Sequence, residues 1–490
     1  MLTRLKNLLF TNRSTKQTIV KNVFWLSFGQ IGSRLIRAII IIYAARVLGA
    51  AEYGVFSYAL GLAAFFTIFA DLGLSPLLTR EIASNSEKRS SIFASAFWLK
   101  IFLLAITASL VIFVAPKFSN IKEAIPLLPF VALLVALDNL RDFTFAYFRG
   151  IEKMELEGFL VVVMNSVIAI AGFIILSFKQ TAGALLFSYI ASVAALSIAA
   201  FYFIKDLLKR IFKDFNKTIA LQFLHNCWPL AFAGLFGIFM LNIDIIMLGW
   251  WRTSEEIGYY SASQRVVQIF YTLSGIIATA VFPAFSRFIK QGVFEKAKLL
   301  NEKVISLLYL LALPLAVGGI ILAQPIIKLL FGKEYLPASL SFQILILTLL
   351  IQFPAAVLSN SLTAYNQQRK LAYYTGLGSL SNVLFNALFI PIWGINGAAL
   401  ATVIAQSAYI FPLWLKIKKI NNFYTLHHLK KIAASAAIMG VVSFIFNQIR
   451  MNVIVNIILS AGFYFALLYL MKEEAIQEIK GLLIKLKVKN

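Results

Sequence analysis

Residues 22–47 read NVFWLSFGQIGSRLIRAIIIIYAARV. A helix needs about 20 mostly apolar residues to cross a bilayer, and this stretch is long enough. Its apolar residues run on without the strict alternation of a barrel strand, so it reads as a membrane helix. Yet Arg34 and Arg37 stand near its middle, where charge is costly and faces a bundle interior or a wet cavity. Ser27, Gln30, Arg34 and Arg37 recur at i, i+3, i+7 and i+10, which places them on one polar stripe.

Thirteen further stretches share this character: 54–79, 91–115, 124–148, 158–177, 182–204, 219–250, 258–284, 303–324, 338–363, 372–392, 395–415, 428–447 and 452–471. With 22–47 they make fourteen spans, numbered here in chain order, and an all-α polytopic membrane protein. Composition agrees. The 490 residues are 60% apolar and 13% charged, against ~45–50% and ~25% in soluble domains. A water-soluble globule and a disordered chain are both excluded.

Lys+Arg outnumber Asp+Glu by 45 to 21, a net charge of +24. An even number of spans puts both termini on one side. Of the 45 cations, 32 fall in the termini and connectors of that side, 7 on the other and 6 within spans. The positive-inside rule makes the rich side cytoplasmic, so the expectation is a multi-pass protein of the cell (inner) membrane with both termini inside. The basic start, Met1 to Lys21, is expected to be retained, because the apolar run after it is too long for a cleaved signal. Cations scattered through short connectors give no nucleic-acid surface. One cysteine, Cys227, allows no disulfide within the chain, and three histidines argue against a Cys/His metal site. No phosphate-binding loop, dinucleotide fingerprint or hydrolase motif occurs, and no enzyme activity is expected.

The chain also repeats. A shift of 204 residues lays spans 1–2 on spans 7–8: Asn22 on Asn226, Leu26 on Leu230, Phe28 on Phe232, Glu52 on Glu256, Gly54 on Gly258, Ser57 on Ser261 and Phe66 on Phe270. Gly183-Ala184 then falls on Gly397-Ala398 at an offset of 214. Two six-span lobes in parallel orientation are the expected architecture, related by pseudo-symmetry about the membrane normal. The expected division is a cytoplasmic amphipathic N-terminus (1–21), an N-lobe (22–204), a basic linker (205–218), a C-lobe (219–415), spans 13–14 (416–471) and a basic tail (472–490). In the tail Ile476, Ile479, Leu483 and Leu486 share one face among lysines, the pattern of a helix lying on anionic lipid.

Few charges remain inside the membrane. Arg265 of span 8 has Gln264 and Gln268 near it. With Arg34, Arg37 and Gln30 it suits a phosphate group, which guanidinium holds bidentately. Asp138, Arg141 and Asp142 lie in span 4, where Asp138 and Arg141 pair at i, i+3; they make an internal salt bridge or a gate. Asp71, before Gly73 and Pro76, pairs with an arginine or serves as a gate, and Lys100 lines the cavity or snorkels inward. Asp244 follows Asn242 in an apolar run, and Asn382, Asn386 and Thr402 lie on spans 11 and 12. Such oxygens suit a hard cation; ordinary hydrogen bonding between helices is the other reading.

These residues carry a resemblance. Residues 45–54, ARVLGAAEYG, followed by Asp71-Leu72-Gly73-Leu74 and Thr79-Arg80-Glu81-Ile82-Ala83, resemble the oligosaccharide (O-antigen and polysaccharide) flippases of the multidrug/oligosaccharidyl-lipid/polysaccharide exporter superfamily. Gly258-Tyr259-Tyr260-Ser261-Ala262, Arg265 and Phe282-Pro283 resemble span 8 of that branch. The resemblance covers spans 1–12, and spans 13–14 match its fourteen-helix members. It implies a flippase that moves a polyprenyl-diphosphate-linked oligosaccharide to the outer leaflet by alternating access. Arginines of spans 1 and 8 would hold the diphosphate. Glycosyltransferases or a polysaccharide polymerase would be its partners, and membrane lipids its surroundings. It also implies a coupling ion rather than a cofactor: a proton, or sodium at Asp244, Asn382, Asn386, the Ala398 carbonyl and Thr402. Asn386 stands where a second carboxylate is expected, which removes a charge from that set.

Three rivals remain. A multidrug and toxin extrusion exporter shares the architecture, but three arginines in a cavity repel cationic drugs. A membrane glycosyltransferase or sugar polymerase normally shows larger polar loops. A non-transporting envelope assembly factor is the third.

Overall fold

The computed structural model describes residues 15–424 and 426–473. The apolar positions expected in the tail, Ile476 to Leu486, lie outside the described residues, as does most of the amphipathic start.

The described residues form helices and turns, with no strand among them. The helices are α1 (Thr15–Asp71), α2 (Leu74–Ser84), α3 (Arg89–Ser109), α4 (Leu128–Gly150), α5 (Met154–Phe178), α6 (Ala182–Tyr202), the single turn α7 (Lys205–Leu208), α8 (Lys217–Trp251), α9 (Ser254–Lys290), α10 (Phe294–Ile321), α11 (Ala323–Phe331), α12 (Ala338–Ile346), α13 (Leu349–Ala364), α14 (Gln368–Asn421), α15 (Leu426–Gln448) and α16 (Val453–Leu470). Among the described residues, eleven helices are long and apolar enough to cross a membrane. The chain is a multi-pass membrane protein. The stretches 22–47 and 54–79 share α1, which is broken at Gly49 (φ 72°, ψ 172°). The stretches 372–392 and 395–415 share α14, broken at Gly394 (φ 56°, ψ −131°). Only glycine enters such backbone conformations at no steric cost, so each break sits where the sequence permits one.

The chain divides into two compact units, Met1–Gly258 and Tyr259–Asn490, with the boundary inside α9. In the first unit α1 and α5 run side by side in the same direction. A Cβ on Gly158 would stand 2.4 Å from the Trp25 carbonyl, so the two backbones touch there. Further along, the Tyr43 and Phe173 rings pack with centroids 4.4 Å apart and planes tilted by 56°. The second half of α1 packs antiparallel on α8, through Gly61 on Ile245 and Tyr58 on Gly249. Trp250 then donates from Nε1 to the Phe118 carbonyl at 2.9 Å, and Asn120 donates to the Trp250 carbonyl at 2.9 Å. Glu52 accepts from the Ala182 backbone N–H at 2.6 Å and so satisfies a donor at the start of α6. An aromatic and aliphatic cluster that includes Phe93, Phe143, Phe148 and Cys227 fills the region between α2, α3, α4 and α8.

Two of these contacts exchange under the repeat. A Cβ on Gly54 would lie 1.7 Å from the Ser254 carbonyl oxygen, and one on Gly258 would lie 2.0 Å from that of Ala50. A shift of 204 residues carries Ala50 to Ser254 and Gly54 to Gly258. The two close approaches are thus reciprocal, each glycine meeting the carbonyl of the other's segment. Gly54→Ala and Gly258→Ala are therefore expected to abolish correctly folded protein, because a methyl has no room against backbone. Gly275→Ala, whose Cβ would meet nothing within 4 Å, should leave the amount of monodisperse protein on size exclusion unchanged.

In the second unit α15 and α16 are tied by Asn456. Its side chain donates to the Ser443 carbonyl at 3.0 Å and accepts from Ser443 and Ser460 at 3.1 and 2.9 Å. Tyr464 reaches α10 by donating to the Leu310 carbonyl at 2.9 Å. Polar residues in apolar helices thus fix the packing of the last two helices.

Candidate functional site

A cavity of about 890 Å³ lies within the first unit, between the two halves of α1 and the helices α2, α4 and α5. Its lining includes Gln30, Arg34 and Arg37 from α1, which arrive on one wall because their spacing follows the helix turn. Arg34 and Arg37 are both exposed. Arg37 donates from Nε to Asn165 Oδ1 of α5 at 3.0 Å, a contact that fixes the plane of its guanidinium.

Opposite α1's first half, the chain breaks between α1 and α2. Leu72 (φ 48°) and Gly73 (φ 83°) both lie in the left-handed region, which for a non-glycine residue costs about 1–2 kcal/mol. Asp71 holds the break. Its carboxylate accepts from the Ser75 hydroxyl and from the Ser75 backbone N–H at 3.3 Å, closing the first turn of α2. The partner of Asp71 is a lysine, not the arginine anticipated from sequence. Lys100 of α3, with 0% of its side chain exposed, donates to Asp71 Oδ1 at 2.8 Å and to Asn139 Oδ1 at 3.1 Å. Lys100 neither lines the cavity nor snorkels; it stands behind the wall.

α4 supplies the third side. Arg141 pairs with Asp138 one turn back and also with Asp142, at 2.8 Å. Arg149 makes a bidentate pair with Glu157 of α5, whose side chain is 8% exposed. Asn139, Arg149, Glu157 and Asn165 belong to this lining and were not singled out from sequence. A lone amide in the apolar run of α5 was the available signal for Asn165.

The remaining candidates lie elsewhere. In the second unit Arg265 is half-buried and donates to Gln268 at 3.3 Å, while Gln264 is buried. Asn386 donates to Asn382 at 2.9 Å, and the Thr402 hydroxyl lies 3.1 Å from that of Tyr260 and donates to the Ala398 carbonyl at 2.9 Å. Asp244 is fully buried in the first unit.

The polysaccharide biosynthesis protein family matches residues 19–289, more than half of the chain. The chain belongs to that family. The whole cavity lies inside the matched residues. The MatE family matches 229–388. Among members and relatives, the probable low-salt glycan biosynthesis flippase Agl15 of Haloferax volcanii is 23% identical over 393 residues, 80% of each chain. The capsular polysaccharide biosynthesis protein CapF of Staphylococcus aureus is 24% identical over 413 residues, covering 82% of this chain and all of that one. Among solved structures, the lipid II flippase MurJ in an inward closed conformation superimposes with a TM-score of 0.77 at 18% identity, covering 92% of this chain and 99% of that one. An inward-facing MATE multidrug resistance transporter gives 0.61 at 14% identity, covering 81% and 94%. This polysaccharide biosynthesis protein therefore has the MurJ and MATE type of fold.

Proposed function

We propose that the protein is a flippase, not an enzyme, which carries a polyprenyl-diphosphate-linked oligosaccharide from the inner to the outer leaflet by alternating access. The observation that carries this reading is Arg34 and Arg37, exposed side by side on the wall of a large cavity within apolar helices. A cavity of about 890 Å³ is within the ~300–1,000 Å³ of small-molecule sites. It has room for a headgroup and its first sugar rings, while a polyprenyl tail stays in lipid. The planar fork of guanidinium donors matches the geometry of a diphosphate. The names of the glycan flippase and capsular relatives, and the lipid II flippase fold, support the same conclusion.

The reading includes fourteen crossings, with the chain reversing at Gly49 and Gly394 and α8 spanning as well. It includes two pseudo-symmetric six-helix lobes with α15 and α16 added, both termini on the cytoplasmic face, and the cell membrane as location. Sodium or a proton is assigned as coupling ion. Glycosyltransferases or a polymerase would supply and consume the lipid-linked glycan.

The MatE match and the MATE structure favour a second reading, a cation-coupled drug exporter. One assay separates the two. Full-length protein in liposomes is given a short-chain polyprenyl diphosphate-glucose in one leaflet, or a fluorescent organic cation in the lumen. Protein-dependent appearance of the sugar lipid in the other leaflet, without cation efflux, is expected. Cation efflux without lipid movement would overturn the flippase reading.

A further inference from the structure

Charge on the cavity wall is unevenly placed. Arg149 is matched by Glu157, and Asp71 by the buried Lys100. Arg141 alone stands between two carboxylates, Asp138 and Asp142. Its guanidinium is held in the wall, 10% exposed, donating to Met164 Sδ as well and lying 5.7 Å from the Phe145 ring centroid. Arg37 also acts on Asp138, and Lys100 and Arg149 act on Asp142, so what sets Asp142 apart is its exposure to the cavity. Asp142 keeps 58% of its side chain exposed, and Asp138 keeps 38%.

We propose that Asp142, backed by Asp138, is a specificity-determining residue that reads the sugar next to the diphosphate, admitting a neutral or amino-bearing sugar and rejecting a uronic acid. This rests on the flippase reading and deepens it. A carboxylate only accepts hydrogen bonds, so it favours ligands that present hydroxyl or ammonium donors. Those bonds are charge-assisted and stronger than neutral ones. A sugar carboxylate on the same spot meets a like charge in a space walled by apolar helices, which is the repulsive element that specificity needs. Arg141 offers little to a sugar carboxylate, because it already donates to Asp138, Asp142 and Met164.

The test uses full-length protein in liposomes and two polyprenyl diphosphate lipids, one carrying glucose and one glucuronic acid, which differ only at C6. Wild type should move the glucose lipid about ten-fold faster, a difference of about 1.4 kcal/mol. Asp142→Asn should narrow the ratio to about two-fold, mainly by admitting the glucuronic acid lipid, whereas Asp142→Glu should keep it. Asp138→Asn, which also removes one charge from the trio, should narrow it too. Equal rates for the two lipids in wild type, or an unchanged ratio in Asp142→Asn, overturn the sugar preference and leave the flippase reading standing. No protein-dependent movement of either lipid by wild type overturns the flippase reading, and the preference with it.

Discussion

Lys100→Ala is expected to destabilise the folded protein by roughly 3–5 kcal/mol, because it removes one partner of a buried ion pair and strands the other. Lys100 has no exposed side-chain surface, and its ammonium is shared by Asp71 and Asn139. Asp71 in turn holds Ser75 at the start of α2, so loss of the lysine also loosens the break at Leu72 and Gly73. A thermal shift in detergent measures the effect. Lys100→Met combined with Asp71→Asn should recover most of the loss, since both charges go and the amide still caps Ser75. A Lys100→Ala protein as stable as wild type would show that the pair holds nothing.

Arg37→Ala and Arg34→Ala should each slow flipping by about 10- to 100-fold, the range given by losing hydrogen bonds to a charged group worth about 1.5–3 kcal/mol. The lysine variants should fall between alanine and wild type, because they keep the charge and lose the bidentate fork. Asn165→Ala should give a smaller loss than Arg37→Ala, since it frees the guanidinium that Asn165 orients without removing it. Transport measured per folded protein in liposomes checks all of these. Wild-type rates in both alanine variants would remove the arginines from the site.

Much of this was legible from the residues. The apolar spans are long, and their positions follow from hydropathy alone. The stripe of Gln30, Arg34 and Arg37 follows from helical spacing, and it lines the cavity. The pairing of Asp138 with Arg141 is a neighbour relation on one helix. Its extension to Asp142 was not legible, because adjacent residues on a helix do not face each other and the guanidinium has to bend back. Lys100 with Asp71, Arg37 with Asn165 and Glu52 with Ala182 were invisible for a different reason. They join residues 29, 128 and 130 positions apart, and only tertiary packing brings them together. The glycine pair was half legible: the shift of 204 aligned Gly54 with Gly258, but it did not say that each meets the other's segment.

In the flippase reading Arg34 and Arg37 hold the diphosphate. The affinity of the purified full-length protein for a short-chain polyprenyl diphosphate without sugar, with the matching polyprenol as control, tests this. The double variant Arg34→Ala/Arg37→Ala should bind the diphosphate at least about a hundred-fold more weakly than wild type, with no change for the polyprenol. Equal diphosphate affinity in the two proteins would contradict the assignment.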